Sequence, residues 1–197
     1  MRSAALDMRS LTMALAAMIG YRNKRMSGHI ISVEDPIEYI YRDEKSILTQ
    51  REVGGDTESF SSALRHAFRQ DPDTILIGEI RDLETMSIAL TAADTGHYVL
   101  TTLHTMNAVE TISRIISFFP PHQHQQVRLV LAGTLQAIVS QRLLPRADGP
   151  GRVPAVEILV NTAAVRECII DPTKQGGIMD LIEDGTVQYG MQTFDQS

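Results

Sequence analysis

The chain has 197 residues, of which 43% are hydrophobic and 21% charged, a composition typical of a globular domain with a sizeable core. Its formal net charge of −6 disfavours a generic nucleic-acid-binding protein, because an acidic surface repels the phosphate backbone. No apolar stretch reaches the roughly eighteen residues that span a bilayer, and the single Cys168 excludes an intrachain disulfide. We therefore expect a cytoplasmic protein without a transmembrane segment.

The first predicted strand is the β-branched run His29–Val33. It ends at Glu34-Asp35-Pro36, because proline cannot donate to a strand ladder and pushes the preceding residue toward an extended conformation. A polar turn is predicted at Arg42–Ser46, and a helix is expected to begin after a cap at Asp56 or Thr57. One face of that helix carries an apolar residue at every fourth position: Phe60, Leu64 and Phe68.

The next segments alternate strands and helices, the pattern of a sheet with helices on both faces. Thr74–Ile77 is a continuous apolar run, which is typical of a strand buried on both faces in a parallel sheet. The helix that follows has four apolar positions, Leu83, Met86, Ile88 and Leu90. We expect Gly96 to close that helix and a third strand, Tyr98–Leu103, to end at His104.

The remaining sequence predicts a helix from Asn107 to just before Pro120-Pro121, and an apolar helix from about Gln125 to Val139. Arg146–Arg152 is rich in Gly, Pro and charge and indicates an exposed loop or hairpin, after which Val153–Val160 is predicted as an edge strand. Short helices and turns are predicted for residues 173–197. The expected fold class is therefore α/β, a mostly parallel sheet flanked by helices with a small C-terminal helical subdomain. We expect the core at residues 1–145 and the appendage at residues 146–197.

Polar residues follow three predicted strands at their carboxyl ends. Glu34 and Asp35, with Glu38 just beyond, follow the first strand, Glu79 follows the second, and His104 follows the third. Because ligands bind beyond the carboxyl ends of parallel strands, we expect these side chains to line one site. Carboxylates and a histidine at that edge can hold Mg²⁺, orient a water molecule and accept its proton.

Four motifs, in this order, resemble those of the secretion ATPase superfamily and especially its motors of type IV pilus retraction. Ile31–Glu38 (ISVEDPIE) is similar to the family's Asp box, and Asp71–Asp82 (DPDTILIGEIRD) is similar to its Walker B segment. Thr95–Thr105 (TGHYVLTTLHT) resembles the family's His box, and the C-terminal GMQTFDQ resembles the retraction branch. The resemblance implies a RecA-like core that binds ATP and Mg²⁺.

The same resemblance implies roles for individual residues. Glu38 is similar to the acid that polarises the attacking water, and Glu79 to the glutamate near Mg²⁺ and the γ-phosphate; Glu34 and Asp35 belong to the same acidic box. His97 and His104 would link the nucleotide state to a neighbouring subunit. A purely structural alternative remains open for these residues. Glu34 and Asp35 would then only cap a turn, and His97 would only open a strand.

Four arginines are candidates for phosphate or intersubunit contacts: Arg51, Arg65, Arg69 and Arg81. Of these, Arg65 and Arg69 are expected to share one helix face at spacing i, i+4. The alternative for each arginine is a solvated helix charge. Ala163–Glu167 (AAVRE) is similar to a C-terminal family motif linked to retraction.

The N-terminal residues depart from the family pattern. The family places a glycine-rich phosphate loop, G-x-x-x-x-G-K-[ST], about twenty residues before the Asp box. Residues 5–18 (ALDMRSLTMALAAM) contain no glycine, and Leu11 stands where the lysine is expected, although Thr12 could still offer a hydroxyl to Mg²⁺. The helix that follows the loop is expected at Leu15–Asn23. We expect the N-terminal part of the family fold to be missing, either through a frameshift or wrong start, or because the chain is an inert paralogue.

The resemblance implies an ATP-hydrolysing subunit of a homo-hexameric ring that drives pilus retraction and twitching motility. Its expected partner is an inner-membrane platform protein, with the ring in the cytoplasm and peripheral at the inner membrane, and no nucleic-acid partner is expected. The alternatives are a motor of type II secretion or pilus assembly, and a truncated subunit that only oligomerises.

Overall fold

The computed structural model of the chain describes residues 8–197, with side chains from Thr12 onward. These residues form two compact units, Met8–Leu103 and His104–Ser197, which we call the sheet unit and the hairpin unit. Within residues 8–197, no helix has both the length and the hydropathy that crossing a bilayer requires.

The sheet unit contains a parallel sheet of four strands: β1 (Gly28–Glu34), β2 (Ser46–Glu52), β3 (Thr74–Ile77) and β4 (Tyr98–Thr101). The strand order is β2-β1-β3-β4, and every neighbouring pair is parallel. Three helices flank the sheet: α1 (Met8–Arg25), α2 (Phe60–Ala67) and α3 (Leu83–Asp94). The predicted α/β class, a mostly parallel sheet flanked by helices, is confirmed.

The central strands β1 and β3 are buried on both faces, as their continuous apolar runs predict. Ile30 of β1 and Leu76 of β3 pack against Ile19 of α1, and all three are at least 97% buried. Fully burying one such side chain contributes about 1.5–3 kcal/mol. This packing fixes α1 on the sheet, so the predicted helix at Leu15–Asn23 is confirmed as part of a longer one.

Side-chain caps set where the helices of the sheet unit begin. Asp82 Oδ1 accepts a hydrogen bond from Thr85 N at 2.8 Å and starts α3, which Gly96 closes at a φ of 98°. The predicted cap of α2 at Asp56 or Thr57 is wrong, because Ser59 caps that helix. Asp56 instead accepts the backbone N–H of Glu52, so it closes a turn after β2.

The hairpin unit contains an antiparallel hairpin of β5 (Ala137–Pro145) and β6 (Arg152–Val160). Five helices accompany the hairpin: α4 (Ala108–Ser117), α5 (His124–Thr134), α6 (Ala163–Ile170), α7 (Ile178–Asp184) and α8 (Thr186–Tyr189). Asn107 caps α4 as predicted, and the predicted short helices near the C-terminus are confirmed. Their buried side chains include Ile169, Ile178 and Ile182.

One strand was missed and one helix was predicted too long. Residues 46–52 form β2, a strand that the sequence analysis did not predict, because β2 gains its strand pairing from β1 rather than from apolar periodicity. The helix predicted up to Val139 ends at Thr134. The side-chain amide of Asn161 donates to the carbonyls of Ala132 and Leu135, at 2.9 and 2.7 Å, and so satisfies the end of α5.

Along the chain, the boundary between the sheet unit and the hairpin unit lies between Leu103 and His104. The boundary expected between residues 145 and 146 falls instead at the turn of the β5–β6 hairpin, since the Gly- and Pro-rich Arg146–Arg152 segment connects two paired strands. The change of composition there therefore marks an exposed hairpin loop, as predicted for that segment.

Candidate active site

The carboxyl ends of β1 and β3 lie side by side because a glycine permits it. Gly78 N donates to Val33 O at 2.8 Å, and a Cβ on Gly78 would lie 3.3 Å from the Cα of Glu34. Glu34 and Glu79, which flank this contact, are 6% and 7% exposed. The structure thus brings two buried carboxylate residues together at the sheet edge where the sequence predicts the site.

We expect Gly78→Ala to destabilise the sheet unit by about 1–3 kcal/mol, because the atoms opposing the new methyl group are backbone and cannot rotate away. Urea unfolding followed by circular dichroism measures the change. The matched control is Gly20→Ala within α1, where a new Cβ meets nothing within 4 Å. That control should be neutral or stabilising by roughly 0.5–1 kcal/mol. Equal stability of the two variants would contradict the proposed close approach.

Glu34 is held from two directions. Ser32 Oγ donates to Glu34 Oε1 at 2.7 Å, and Gln50 Nε2 of β2 donates to the same oxygen at 3.3 Å. Burial raises the pKa of the neighbouring Tyr41 phenol to about 12, and the negative charge of Glu34 adds to that shift. Tyr41 therefore stays protonated across the physiological pH range. These contacts fix one carboxylate oxygen of Glu34 in place.

Glu38 lies in the exposed loop that follows β1, and this loop is attached to β2. Ile37 N donates to Glu52 Oε2 at 2.9 Å, and Gln50 Nε2 donates to Tyr39 O at 2.8 Å. The backbone is therefore held on both sides of Glu38, while the Glu38 side chain is exposed and has no hydrogen-bond or ion-pair partner among residues 12–197. Such a carboxylate is positioned through its backbone and open to a ligand.

Gln50 and Glu52 are site residues that sequence reasoning missed. Both lie on β2, which falls almost entirely between the predicted turn and the predicted helix and was given no assignment. The sequence does contain a signal for this strand, because the segment that forms β2 lies between the Asp box and the next helix. A parallel partner beside β1 would have placed its polar residues against the loop that carries Glu38.

Glu79 pairs with Arg81. Arg81 Nη2 lies 2.5 Å from Glu79 Oε1, and the Arg81 side chain is 66% exposed whereas that of Glu79 is 8% exposed. The arginine therefore neutralises a buried carboxylate from the solvent side. Among the predicted arginines, Arg81 is thus the one for which an ion pair with Glu79 is seen in the described residues.

Two other arginines line an open depression of about 690 Å³ on the sheet unit. Arg51 comes from β2, and Arg69 comes from a 3₁₀ turn, Phe68–Gln70, after α2. The other lining residues are polar: Asp56, Thr57, Glu58, Ser62, His66 and Gln70. Guanidinium groups beside hydroxyls can bind phosphate or a carboxylate of another chain.

Arg65 and Arg69 do not lie on one face of an α-helix, contrary to the expectation from their spacing. The α-helix ends at Ala67, so Arg69 lies on the following 3₁₀ turn. Arg65 Nη2 instead lies 2.5 Å from Glu84 Oε1 at the first turn of α3, where both side chains are more than half exposed. Exposed pairs of this kind contribute about 0.2–1 kcal/mol.

The remaining predicted residues lie before β4, on α1 and in the hairpin unit. Half-buried His97 precedes β4, at the amino edge of the sheet, where its Nδ1 contacts Ala92 O at 3.0 Å and its ring meets Phe68 edge-on. Thr12 lies half-buried on α1, and His104 is the first residue of the hairpin unit. Residues 5–7 of the segment that replaces the expected phosphate loop lie outside the described residues.

The carboxylates suit Mg²⁺ in kind. This ion prefers oxygen ligands, commonly takes one or two carboxylates, and completes its shell with phosphate oxygens and water. Residues 12–197 contain no group of three or more His, Cys, Asp and Glu side chains arranged to hold a metal. Glu34 and Glu79 have the carboxylate chemistry to contribute ligands to such a shell.

Residues 11–169 match the family described as Type II/IV secretion system protein, and the chain belongs to that family. Within it, the chain is 50% identical over 186 residues to the type IV pilus ATPase PilU of Pseudomonas aeruginosa, covering 93% of this chain and 48% of PilU. It is 47% identical over 181 residues to the type IV pilus retractation ATPase PilT of the same organism, covering 92% of this chain and 52% of PilT.

A solved structure agrees with these relatives. The crystal structure of the pilus retraction motor PilT with bound ADP matches with a TM-score of 0.83 and 47% identity, over 94% of this chain and 56% of that one. The resemblance predicted from the four motifs is thereby confirmed, as is the fold class. The chain spans about half the length of the curated relatives that it matches.

Proposed function

We propose that this chain is an ATP-hydrolysing subunit of a motor for type IV pilus retraction. The observation that carries the proposal is the side-by-side ending of β1 and β3, which gathers Glu34 and Glu79 beside the loop that presents Glu38. Relatives at 47–50% identity that carry pilus ATPase names support the assignment to retraction.

In this proposal Glu38 orients and activates the attacking water. Its exposure leaves both carboxylate oxygens available, and the β2 contacts to the loop restrict where they can reach. When bound with the nucleotide, Mg²⁺ neutralises charge that develops on the transferred phosphoryl group. Glu79 would hold the ion's ligand shell, with Glu34 and Asp35 completing the acidic edge.

The arginines and histidines would serve the ring. Arg51 and Arg69, which line one depression, are proposed to contact phosphate or an adjacent subunit, and Arg65 and Arg81 are candidates for the same role. His97 and His104 would report the nucleotide state to the neighbour, and Thr12 would offer its hydroxyl to Mg²⁺. The assembly would be a homo-hexamer that works against a platform protein at the cytoplasmic side of the inner membrane.

A repaired chain tests the proposal. We define it as residues 15–197 of this protein joined to the N-terminal part of the Pseudomonas aeruginosa PilT relative, up to the position aligned with Leu15. This replaces the first part of α1, up to Ala14, and restores a glycine-rich loop ahead of the rest of that helix. We expect the repaired chain to form rings and hydrolyse ATP, because the loop supplies the backbone donors that residues 5–18 lack.

Two measurements decide the matter. ATPase rates test the chemistry, and restoration of twitching in a strain that lacks its own retraction motor tests the biological role. Folded rings with no ATPase activity would refute the catalytic assignment. Active rings that restore type II secretion but not twitching would instead favour the secretion branch.

A further inference from the structure

The C-terminal segment Met191–Ser197 is docked against β6. Gln192 and Ile158 exchange two backbone hydrogen bonds, with N···O distances of 2.8 and 3.1 Å. Gln192 Nε2 also donates to Val156 O at 3.0 Å, and Val156 N donates to Ser197 Oγ at 3.0 Å. The segment therefore fixes β6 at the two residues that flank Glu157.

Glu157 connects β6 to the segment that follows His104. Its side chain is fully buried, and its Oε1 accepts hydrogen bonds from Ala108 N at 2.7 Å and Ser140 Oγ at 3.2 Å. Ala108 is the first residue of α4, where a carboxylate also stabilises the helix dipole. Glu157 thus joins the middle of β6 to the start of α4.

A second connection runs through Phe194 and Arg142. The Arg142 guanidinium carbon lies 3.9 Å from the centre of the Phe194 ring, and Arg142 Nη2 donates to Met106 O at 3.2 Å. One guanidinium therefore stacks on the C-terminal segment and binds the backbone that follows His104. Because a guanidinium is planar, stacking on the ring restricts the directions in which its N–H groups point.

The segment His104–Ala108 also makes contacts with its own helix, α4. Met106 N donates to Glu110 Oε2 at 2.8 Å, and the Thr105 and Thr111 hydroxyls lie 2.6 Å apart. The contacts to Arg142 and Glu157 relate the segment to the hairpin.

We propose that the C-terminal segment positions the His104–Ala108 segment through Arg142 and Glu157. Arg142, Phe194 and Glu157 are positioning residues, and the inference rests on the proposed function for the role of His104 in sensing nucleotide. In this proposal, the C-terminal segment contributes to how rigidly the backbone that follows His104 is held. A shift of the C-terminal segment would change the position of His104 without any change in the carboxylates of the sheet unit.

Hydrogen–deuterium exchange on the full chain tests the proposal, with Phe194→Leu as the first variant. Leucine keeps apolar volume but removes the ring face, so exchange at the Met106 and Ala108 amides should accelerate roughly two- to fivefold. Phe194→Tyr keeps the face and should exchange as the wild type does. Arg142→Gln loses both the stacking and the bond to Met106 and should accelerate exchange by about tenfold.

Helix α6 serves as the internal reference, because it lies in the same unit and, within residues 12–197, no hydrogen bond, ion pair or ring contact joins it to Arg142 or Phe194. The proposal is overturned if Phe194→Leu leaves the Met106 and Ala108 amides unchanged. It is also overturned if α6 accelerates equally, or if Phe194→Tyr behaves as Phe194→Leu does, since each outcome would mean a general packing role. The measurement needs no nucleotide, so its result is independent of whether the repaired chain hydrolyses ATP.

Discussion

Glu79→Gln and Glu38→Gln should each lower ATP turnover of the repaired chain by about 10²–10⁴ while nucleotide binding stays largely intact. Glutamine preserves the shape of glutamate and removes its negative charge and basicity. For Glu38 the loss falls on activation of the attacking water. For Glu79 it falls on the ligand shell of Mg²⁺, and Arg81 also loses the carboxylate that it pairs with.

Steady-state ATPase rates on variants that still form rings measure these effects. Glu44→Gln is the matched control, because Glu44 is an exposed acid in the connection between β1 and β2, as Glu38 is. It should retain near-normal turnover. If both acids only cap strand ends, the glutamine variants would lose about 1 kcal/mol of stability and little activity. Near-normal turnover of Glu79→Gln would overturn the assignment of the site.

The chain as it stands should bind ATP at least a thousandfold more weakly than the repaired chain. A glycine-rich loop surrounds the phosphates with backbone N–H groups, and residues 5–18 contain no glycine to form one. Each hydrogen bond to a charged group contributes roughly 1.5–3 kcal/mol, so losing three or more amounts to several orders of magnitude in affinity.

Calorimetry with ATP and Mg²⁺ tests this expectation, and micromolar binding by the unrepaired chain would contradict it. Leu11→Lys is an informative intermediate, because it restores the expected charge without the backbone donors. We expect it to recover less than the full affinity of the repaired chain. Full recovery would mean that the lysine charge, and not the loop, accounts for phosphate binding.

The sequence was most informative where burial is continuous or a backbone position is restricted. Thr74–Ile77 was predicted with the bounds that the structure has, because a strand buried on both faces requires an uninterrupted apolar run. The acids that follow β1 and β3 were found because parallel strands bring their carboxyl ends to one edge.

The parts that were missed depend on partners distant in sequence. Strand β2 is identified by its pairing with β1, and its own residues give little strand signal. Asn161 ends α5 from 26 residues away, which no window around Leu135 could reveal. The prediction that Arg65 and Arg69 share one helix face was wrong for a local reason, because the turn that follows α2 is a 3₁₀ turn.

The parallel order of the sheet also bears on how the chain folds as it is made. Central strand β1 needs β3 beside it, yet Ile30 pairs with Thr74, 44 residues further along the chain. At roughly 5–20 residues per second, ribosomal synthesis leaves the apolar β1 without that neighbour for about 2–9 s. During this interval the nascent chain offers an uncovered β-branched segment, so the sheet unit should depend on chaperones during translation more than after its release.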